Sequence, residues 1–526
     1  MAKKTAAASK PTAPRTPEQQ YVTKGLWKKR SQQPEGYQES VLAGRMAAHA
    51  IAQIPKDYDP WLDNDISEDD LAEDIVLQCG RYIRYCAEMG WMGYSAEDGC
   101  WKGEEYAEST VQWIVRHFGR LLAENASDER TEELRYARHV RSSSGINAIM
   151  SIMKRDKRVT ITRDQFDADP SVLNCKGDLY NLRTGEVRPT EPEDYVTKSM
   201  FCKPAPAKDK EVPELPKKFE DFMHKITSKD GELRLDLALW ILFYFGYSLT
   251  GETGASFFVN FHGGGNNGKS VLLKLMMKIF GDYASPIAQD IVIENRFQSP
   301  FDLAGLPGIR LGILADAGEG QLNMKQLKEL TTGEPMSAKQ KFKKDFTLRS
   351  VCKLAVGTNH RLTLKNTGMD VQRRVRMVPF DWTITEDEII PDFEKQLIEE
   401  APGILSQLIY FAGEYYRRGG GPRAFPPCPV VDEASREYLE SEDLVGRWVK
   451  DNTEAIPGEA TEVNDLYKDF LAWCDTEGVR KKMSKNKFGE HLSAHIKEKK
   501  RNNKGIVYLN IRLKGETSKL PDKGGG

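Results

Sequence analysis

An α/β fold is what the sequence predicts, and three observations predict it. The run ASFFVNF at 255–261 has the aromatic and β-branched character of a buried strand, SVLLKLMMKIF from Ser270 has the apolar spacing of a helix, and a glycine-rich turn joins them. Two further apolar runs, IRLGILAD at 309–316 and SVCKLAVGTNH at 350–360, end in an acid and in a polar cluster. Near the C-terminus two helical stretches precede an alternating strand pair about Asn-Lys-Gly, the order of a winged helix.

The chain has 526 residues, enough for about three domains. A formal charge of −2, with 29% charged and 39% apolar residues, is ordinary for a globular protein and identifies no partner. The longest apolar run, ALWILFYFGYSL at 238–249, falls short of the roughly 20 residues that span a bilayer. The N-terminus has lysines but no apolar segment after them, so no secretory signal and no membrane partner are expected, and a cytoplasmic place in a bacterial host is. Eight cysteines without a C-x-x-C pair and eight histidines without H-E-x-x-H predict buried thiols and no zinc site.

Taken in order, residues 1–40 read as a disordered basic tail with a cluster from Lys24 to Arg30. Residues 41–218 read as a mainly helical domain, with helical spacing in DLAEDIVLQCGRYIRYCAEM, ESTVQWIVRHFGRLLAENA and SSGINAIMSIMKR. Within it, DPSVLNCKGDLYNLRTGEVRP predicts small strands turning at Lys176-Gly177 and Thr184-Gly185, and the Pro-rich 204–218 reads as a connector. The central α/β domain spans 219–418, the Gly- and Pro-rich 419–430 reads as a linker, 431–514 as a winged-helix domain and 515–526 as a second disordered tail.

The turn itself is GGGNNGKS, Gly263 to Ser270, which fits G-x-x-x-x-G-K-[ST] in its strand–loop–helix context. Gly263, Gly264, Gly265 and Gly268 allow positive φ and close approach of N–H groups to phosphate oxygens, with Asn266 and Asn267 completing the loop. Lys269 would reach the β/γ-phosphates of ATP and Ser270 would hold Mg²⁺. Downstream, Asp316 is placed to bind Mg²⁺ partly through water or to polarise the attacking water, with Glu319 three residues on. Asn359 is placed to orient water, and Arg373, Arg374 and Arg376 precede a strand at QRRVRMVPF.

This order of loop, acid, asparagine and arginine resembles superfamily 3 DNA helicases of the phage and plasmid primase-helicase type, related to poxvirus primase-helicases. The resemblance covers roughly residues 70–515 and rests on DPSVLNCKGDLYNLRTGEVRP, GYSLTGETGASFF and GTNHRLTLKNTGMDVQRRVRMVPF. It implies a P-loop, AAA+-like ATPase core in a homo-hexameric ring, with ATP between subunits. It also implies Asn359 as first sensor and Arg373 or Arg374 as the residue that reaches a neighbour's γ-phosphate. Family members usually carry glutamate where Asp316 stands, and two acids often precede the glycine where this chain has Gly318-Glu319, so the roles of Asp316 and Glu319 are not divided by the likeness.

Two basic regions point to nucleic acid. Lys339, Lys341, Lys343 and Lys344 surround Phe342 between the two polar-tipped strands, where the resembling family has a pore hairpin gripping single-stranded DNA. Residues 480–514 hold twelve Lys or Arg against two Glu, and Lys485, Lys487, Lys499, Lys500 and Arg501 are the candidate phosphate contacts. The expected activity is ATP-dependent unwinding of forked DNA during replication of a phage, plasmid or other mobile element. A remodelling or regulatory DNA-binding ATPase and the helicase subunit of a primase-helicase are the alternatives. About 70 residues before the family-like region are too few for a catalytic primase, so a separate primase or an origin-binding partner is expected.

Overall fold

The computed structural model of the chain describes residues 37–61, 67–126, 131–206, 212–295, 303–339, 345–365, 367–479, 482–502 and 505–515. Most of the N-terminal tail with Lys24–Arg30, the residues from 516 onward, and Lys341, Phe342, Lys343 and Lys344 lie outside the described residues. The chain divides into two compact units, one of residues 1–168 with 176–178 and 188–198, the other of 169–175, 179–187 and 199–526.

In the first unit, helices α1 (Tyr37–Ile51), α2 (Glu68–Cys79), α3 (Glu104–Glu124), α4 (Thr131–Val140) and α5 (Ser143–Met153) accompany an antiparallel meander of β1 (Ile83–Cys86), β2 (Gly90–Ser95) and β3 (Cys100–Lys102). The meander corrects the expectation of helical spacing through DLAEDIVLQCGRYIRYCAEM. The helix stops at Cys79 before Gly80, and the following Tyr82, Ile83 and Tyr85 are residue types that suit a pleated strand. Trp91, Trp101, Ile114 and Phe118 fill the core between helices and meander.

Three short strands follow as expected, β4 (Val172–Cys175), β5 (Asp178–Asn181) and β6 (Val187–Pro189), paired in that order. Lys176 and Gly177 both have positive φ, 52° and 88°, as a two-residue hairpin turn demands.

The second unit is built on one parallel sheet. Helix α6 (Lys217–Thr227), a small hairpin of β7 (Ser228–Lys229) and β8 (Glu232–Leu233), and α7 (Leu235–Ser248) lead into β9 (Phe258–His262). Helix α8 (Lys269–Phe280) and β10 (Ala284–Pro286) come next, then β11 (Leu311–Ala317), α9 (Met324–Thr332), the hairpin β12 (Pro335–Ala338) and β13 (Phe346–Arg349), β14 (Lys353–Thr358) and β15 (Val375–Pro379). The sheet order is β10-β11-β14-β9-β15 and every pairing in it is parallel. Both faces are covered, which is why these strands read as nearly continuous apolar runs. Val259, Phe261, Ile313, Ala355 and Val378 face a core shared with α6, α7 and α8, with α10 (Phe393–Glu399) and with α11 (Ala401–Arg417). Phe258, Leu354, Val356, Val375 and Met377 face the other core, shared with α9 and with α12 (Pro429–Glu442).

Residues 419–430, expected to be a linker, behave as a packed turn. Gly419, Gly420 and Gly421 take positive φ, but Ala424 and Cys428 are buried and Phe425 lies 4.9 Å from Phe257 and 5.0 Å from Phe243, ring to ring. Helix α12 therefore belongs to the sheet domain, with Ser435 Oγ accepting from Met377 N–H at 2.9 Å. The remaining C-terminal elements are α13 (Leu444–Asn452), β16 (Thr453–Glu454), β17 (Ala460–Glu462), α14 (Val463–Thr476), α15 (Lys485–His495), β18 (Lys499–Asn502), β19 (Gly505–Leu509) and β20 (Arg512–Leu513). Strands pair antiparallel as β17-β19-β18 over a core of Trp448, Phe470, Phe488 and Leu492.

Two buried cations hold the end of α7. Arg310 donates to Leu249 O and, at 2.7 Å, to Val172 O, and lies over the Tyr283 ring. Lys353 donates to Thr250 O and, at 2.9 Å, to Val351 O, over the Tyr247 ring. Both cap carbonyls that close the helix, where the dipole favours positive charge. Burial holds the Lys353 amine well below the usual lysine range. Arg310→Met should leave the Leu249 and Val172 carbonyls buried without donors, costing about 2–3 kcal/mol in denaturant unfolding. A loss below about 0.5 kcal/mol would contradict the capping role.

Candidate functional site

Parallel pairing brings the C-terminal ends of β9, β14 and β11 to one edge, side by side, and the loops leaving such an edge are where α/β sheets bind ligands. From β9 comes the loop Gly263–Gly268, from β14 Asn359, and from β11 Asp316.

The loop's conformation follows from its residues. Gly265 and Gly268 have φ of 104° and 79°, and Asn266, at 45°, is a third left-handed residue. Gly263 and Gly264 do not take positive φ, so the sequence argument for those two needs correcting. Gly263 is small for a steric reason: a Cβ there would lie 2.5 Å from Phe380 O and 2.2 Å from the Asn267 side chain. Gly264 has open space around its Cα. The loop is pinned by the Ile384 N–H donating to Asn266 O at 2.6 Å and by the buried Asn267, and it delivers the chain into α8 at Lys269.

Lys269 is 4% exposed. Its ammonium donates to Gly263 O and Asn267 Oδ1, both at 2.9 Å, and to Asn359 Oδ1 at 3.2 Å. Asn359 in turn donates to Asp316 Oδ1 at 3.5 Å. Desolvation pushes the Lys269 amine down to about 8, with the Asp316 charge pulling the other way. A cation this deep, held by neutral oxygens, has room in its electrostatics for an anion, and a row of loop N–H groups before a helix N-terminus supplies the cradle. The residues therefore fit a polyphosphate.

Asp316 is exposed, and the β11–β14 register shifts between Leu314 and Ala317, so an irregularity in the strand re-aims the acid at the loop edge. Glu319 is also exposed and lies 3.9 Å from His360 Nδ1, so Asn359 and His360, adjacent in sequence, each face one of the two acids. Ser270 is exposed on the first turn of α8. Among the described residues no cluster of three His, Cys, Asp or Glu could hold a metal by itself. A divalent ion here would rest on Ser270, Asp316, water and substrate oxygens, the usual arrangement for Mg²⁺.

Arg373 and Arg374 stand at the opposite edge. The Arg374 carbonyl accepts from Phe258 N–H at the entry to β9, so both arginines lie roughly 16 Å of strand away from the loop. Arg374 is 3% exposed, reaching Ser256 O at 3.4 Å and Asp370 at 3.3 Å. Arg373 keeps 67% of its side chain exposed and is tied to Asp370 at 2.5 Å.

The predicted hairpin between the acid and asparagine strands exists as β12 and β13, paired from Pro335↔Arg349 to Ala338↔Phe346. Lys339 is exposed and 3.5 Å from Asp345, and the remaining candidates of its tip are those outside the described residues. In the C-terminal segment, Lys485, Lys487, Lys499, Lys500 and Arg501 are exposed. Other cations there are structural: Arg512 pairs with Glu454 and, at 3.3 Å, with Glu459, and Lys514 caps the carbonyls of Lys450 and Asp451. Sequence reasoning missed His262, whose Nδ1 lies 3.3 Å from Thr358 Oγ1 beneath the loop, and Arg361, although GTNHR spells the latter beside Asn359.

Comparison with known proteins gives three regional matches. Residues 73–228 match the D5 N terminal like family, 261–374 a family of unknown function (DUF5906), and 442–519 the poxvirus D5 protein-like family. A protein named as a primase, C962R, of African swine fever virus is 22% identical over 284 residues, covering 50% of this chain and 30% of that protein. One named as a helicase, L207/L206, of Acanthamoeba polyphaga mimivirus is 23% identical over 331 residues, 59% of this chain and 33% of the relative, and the helicase 022R of Frog virus 3 is 23% identical over 228 residues, 40% and 23%. The chain thus matches about a third or less of each relative's length, and these relatives come from viruses of eukaryotes, so the expected bacterial host gains no support from them. The NrS-1 C-terminal region superposes with a TM-score of 0.48 at 12% identity, covering 84% of this chain and 100% of that one. Among the described residues no helix is long and apolar enough to cross a membrane. The chain carries D5-like regions and is homologous to viral proteins named as a primase and as helicases.

Proposed function

We propose that the chain is an ATP-driven DNA helicase of the superfamily 3 type, acting as a ring in replication of a virus, phage or other mobile element. The observation that carries this is the Lys269–Asn359–Asp316 constellation at one edge of a parallel sheet, beside a glycine-rich loop. Lys269 and the loop N–H groups bind the triphosphate; Ser270 and Asp316 would hold a Mg²⁺ ion, which would neutralise charge on the phosphoryl oxygens. Asn359 lies between cation and acid and orients the attacking water, while Asp316 or Glu319 takes its proton.

The position of Arg373 supports a multimer. Within one chain it sits at the wrong edge of the sheet to touch its own nucleotide, and its exposure suits a residue that enters a neighbour's site to stabilise transition-state charge. Arg374, buried just before β15, is better suited to holding that turn. Hairpin β12–β13 is the proposed grip on single-stranded DNA, and the α14–α15–β18–β19 segment, with its exposed lysines, is the proposed winged helix on duplex. The primase name of one relative favours an accompanying priming activity, and because the match covers 30% of that protein it is assigned to a partner or another region.

Two outcomes are expected. Lys269→Ala and Arg373→Ala should each abolish hydrolysis alone, yet mixing the two proteins should restore part of it, because mixed rings contain interfaces with both residues intact. Failure of the mixture would place Arg373 in cis or outside the chemistry.

The second concerns protons. Lys269 is held near 8, below its unfolded value, so between about 8 and 10.5 the free protein carries fewer protons here than the unfolded chain and gains stability as pH rises through that window. A bound polyphosphate restores the charged form. Calorimetry of nucleotide binding at pH 8, in buffers of different ionisation heat, should therefore show uptake of about half a proton per site, absent in Lys269→Met.

A further inference from the structure

Beside Gly263 and Gly264, the first residues of the loop, the sheet face away from α8 opens into a cavity of about 490 Å³. Its walls include His262 at the end of β9, Asp381 beyond β15, Arg361 beyond β14, and Glu433 and Glu437 of α12. Gly263, a residue of this wall, accepts from the Lys269 ammonium through its carbonyl, and the same ammonium donates to Asn359 Oδ1.

Arg361 lies two residues past Asn359 and is exposed to this cavity. Its hydrogen bond to Ser441 Oγ is long, 3.4 Å, and leans the guanidinium toward α12. Arg234, another cation of the same cavity, is paired with Asp381 at 2.8 Å, whereas the Arg361 charge acts on Glu442 of α12 without a salt bridge among the described residues. The Arg361 and Lys269 charges meet at His262, whose basicity both lower in addition to burial. Glu433 and Glu437 on the far wall would repel a phosphate, so a screening cation between them and the loop has an electrostatic task.

We propose that Arg361 is a binding residue for the γ-phosphate of its own chain's nucleotide. On binding, the guanidinium leaves Ser441 and takes a γ-oxygen, so that this cavity distinguishes a nucleoside triphosphate from the diphosphate. The inference rests on the nucleotide-site reading above and goes beyond it by assigning the γ-specific contact in cis.

The test titrates the full chain, as wild type, Arg361→Ala and Arg361→Lys, with fluorescent ADP and with a fluorescent non-hydrolysable ATP analogue. Arg361→Ala should lose about tenfold in affinity for the ATP analogue, one charge-assisted hydrogen bond, and less than about twofold for ADP. Arg361→Lys should recover part of that loss. Equal loss for both ligands, or none, overturns the assignment while leaving the nucleotide site standing. Wild-type protein that binds neither ligand overturns the nucleotide reading and this inference with it.

Discussion

Three neighbouring strands of one parallel sheet end at the same edge, and the rest of the structure depends on that constraint. β9, β14 and β11 are separated widely in sequence, yet their hydrogen-bond register brings Gly263, Asn359 and Asp316 within the reach of one side chain, Lys269, and of its partner Asn359. The register is set by apolar residues on both faces: Phe261 and Ala355 to one core, Phe258 and Val356 to the other. A slip of one residue would exchange these faces, so core packing and site geometry are specified together. Gly246 shows how close that packing is, with no room for a Cβ against Phe411 where α7 meets α11.

Among the described residues of the second unit Arg310, Lys353, Lys269 and Arg374 are buried cations, and the first three differ in what surrounds them. Arg310 and Lys353 end on backbone carbonyls under aromatic rings and hold the α7 terminus in place. Lys269 also bonds neutral oxygens, but those oxygens belong to the glycine-rich loop and to Asn359 at the open edge. Burying charge is expensive unless it is paired. At the first two sites that expense is offset by structure, whereas at Lys269 it leaves a demand for an anion. On the proposed reading this difference separates a structural lysine from a binding one, whereas in the sequence all of these are simply basic residues near apolar runs.

What was legible in the sequence was what is local. Strand β9, its loop and α8 follow from a contiguous pattern, and the polar-tipped strands β11 and β14 follow from apolar runs that end in Asp316 and Asn359. Lys176-Gly177 announced its hairpin through turn chemistry. Tertiary context hid the rest. The meander β1–β3 was masked because helical spacing continues across Gly80, and the meander is recognisable mainly from the side chains it buries with α3. Residues 419–430 have a linker's composition, but Phe425 enters the cluster around Trp240 and Phe257, a long-range contact no local pattern records. Of the site residues, the loop, Asn359 and Asp316 converge as expected, while the two arginines could be told apart only by burial.

In the proposed function these parts form a motor whose site is completed by a second chain. Arg373 of one subunit would then face Lys269 of the next, with the β12–β13 hairpins turned toward enclosed DNA. The most direct measurement is an image of the particle assembled with a non-hydrolysable ATP analogue and a forked DNA. A closed ring is expected, with nucleotide at each interface within hydrogen-bond distance of a neighbour's Arg373 and the hairpins lining the channel. A monomer, or a ring with the hairpins on its outer surface, would contradict it.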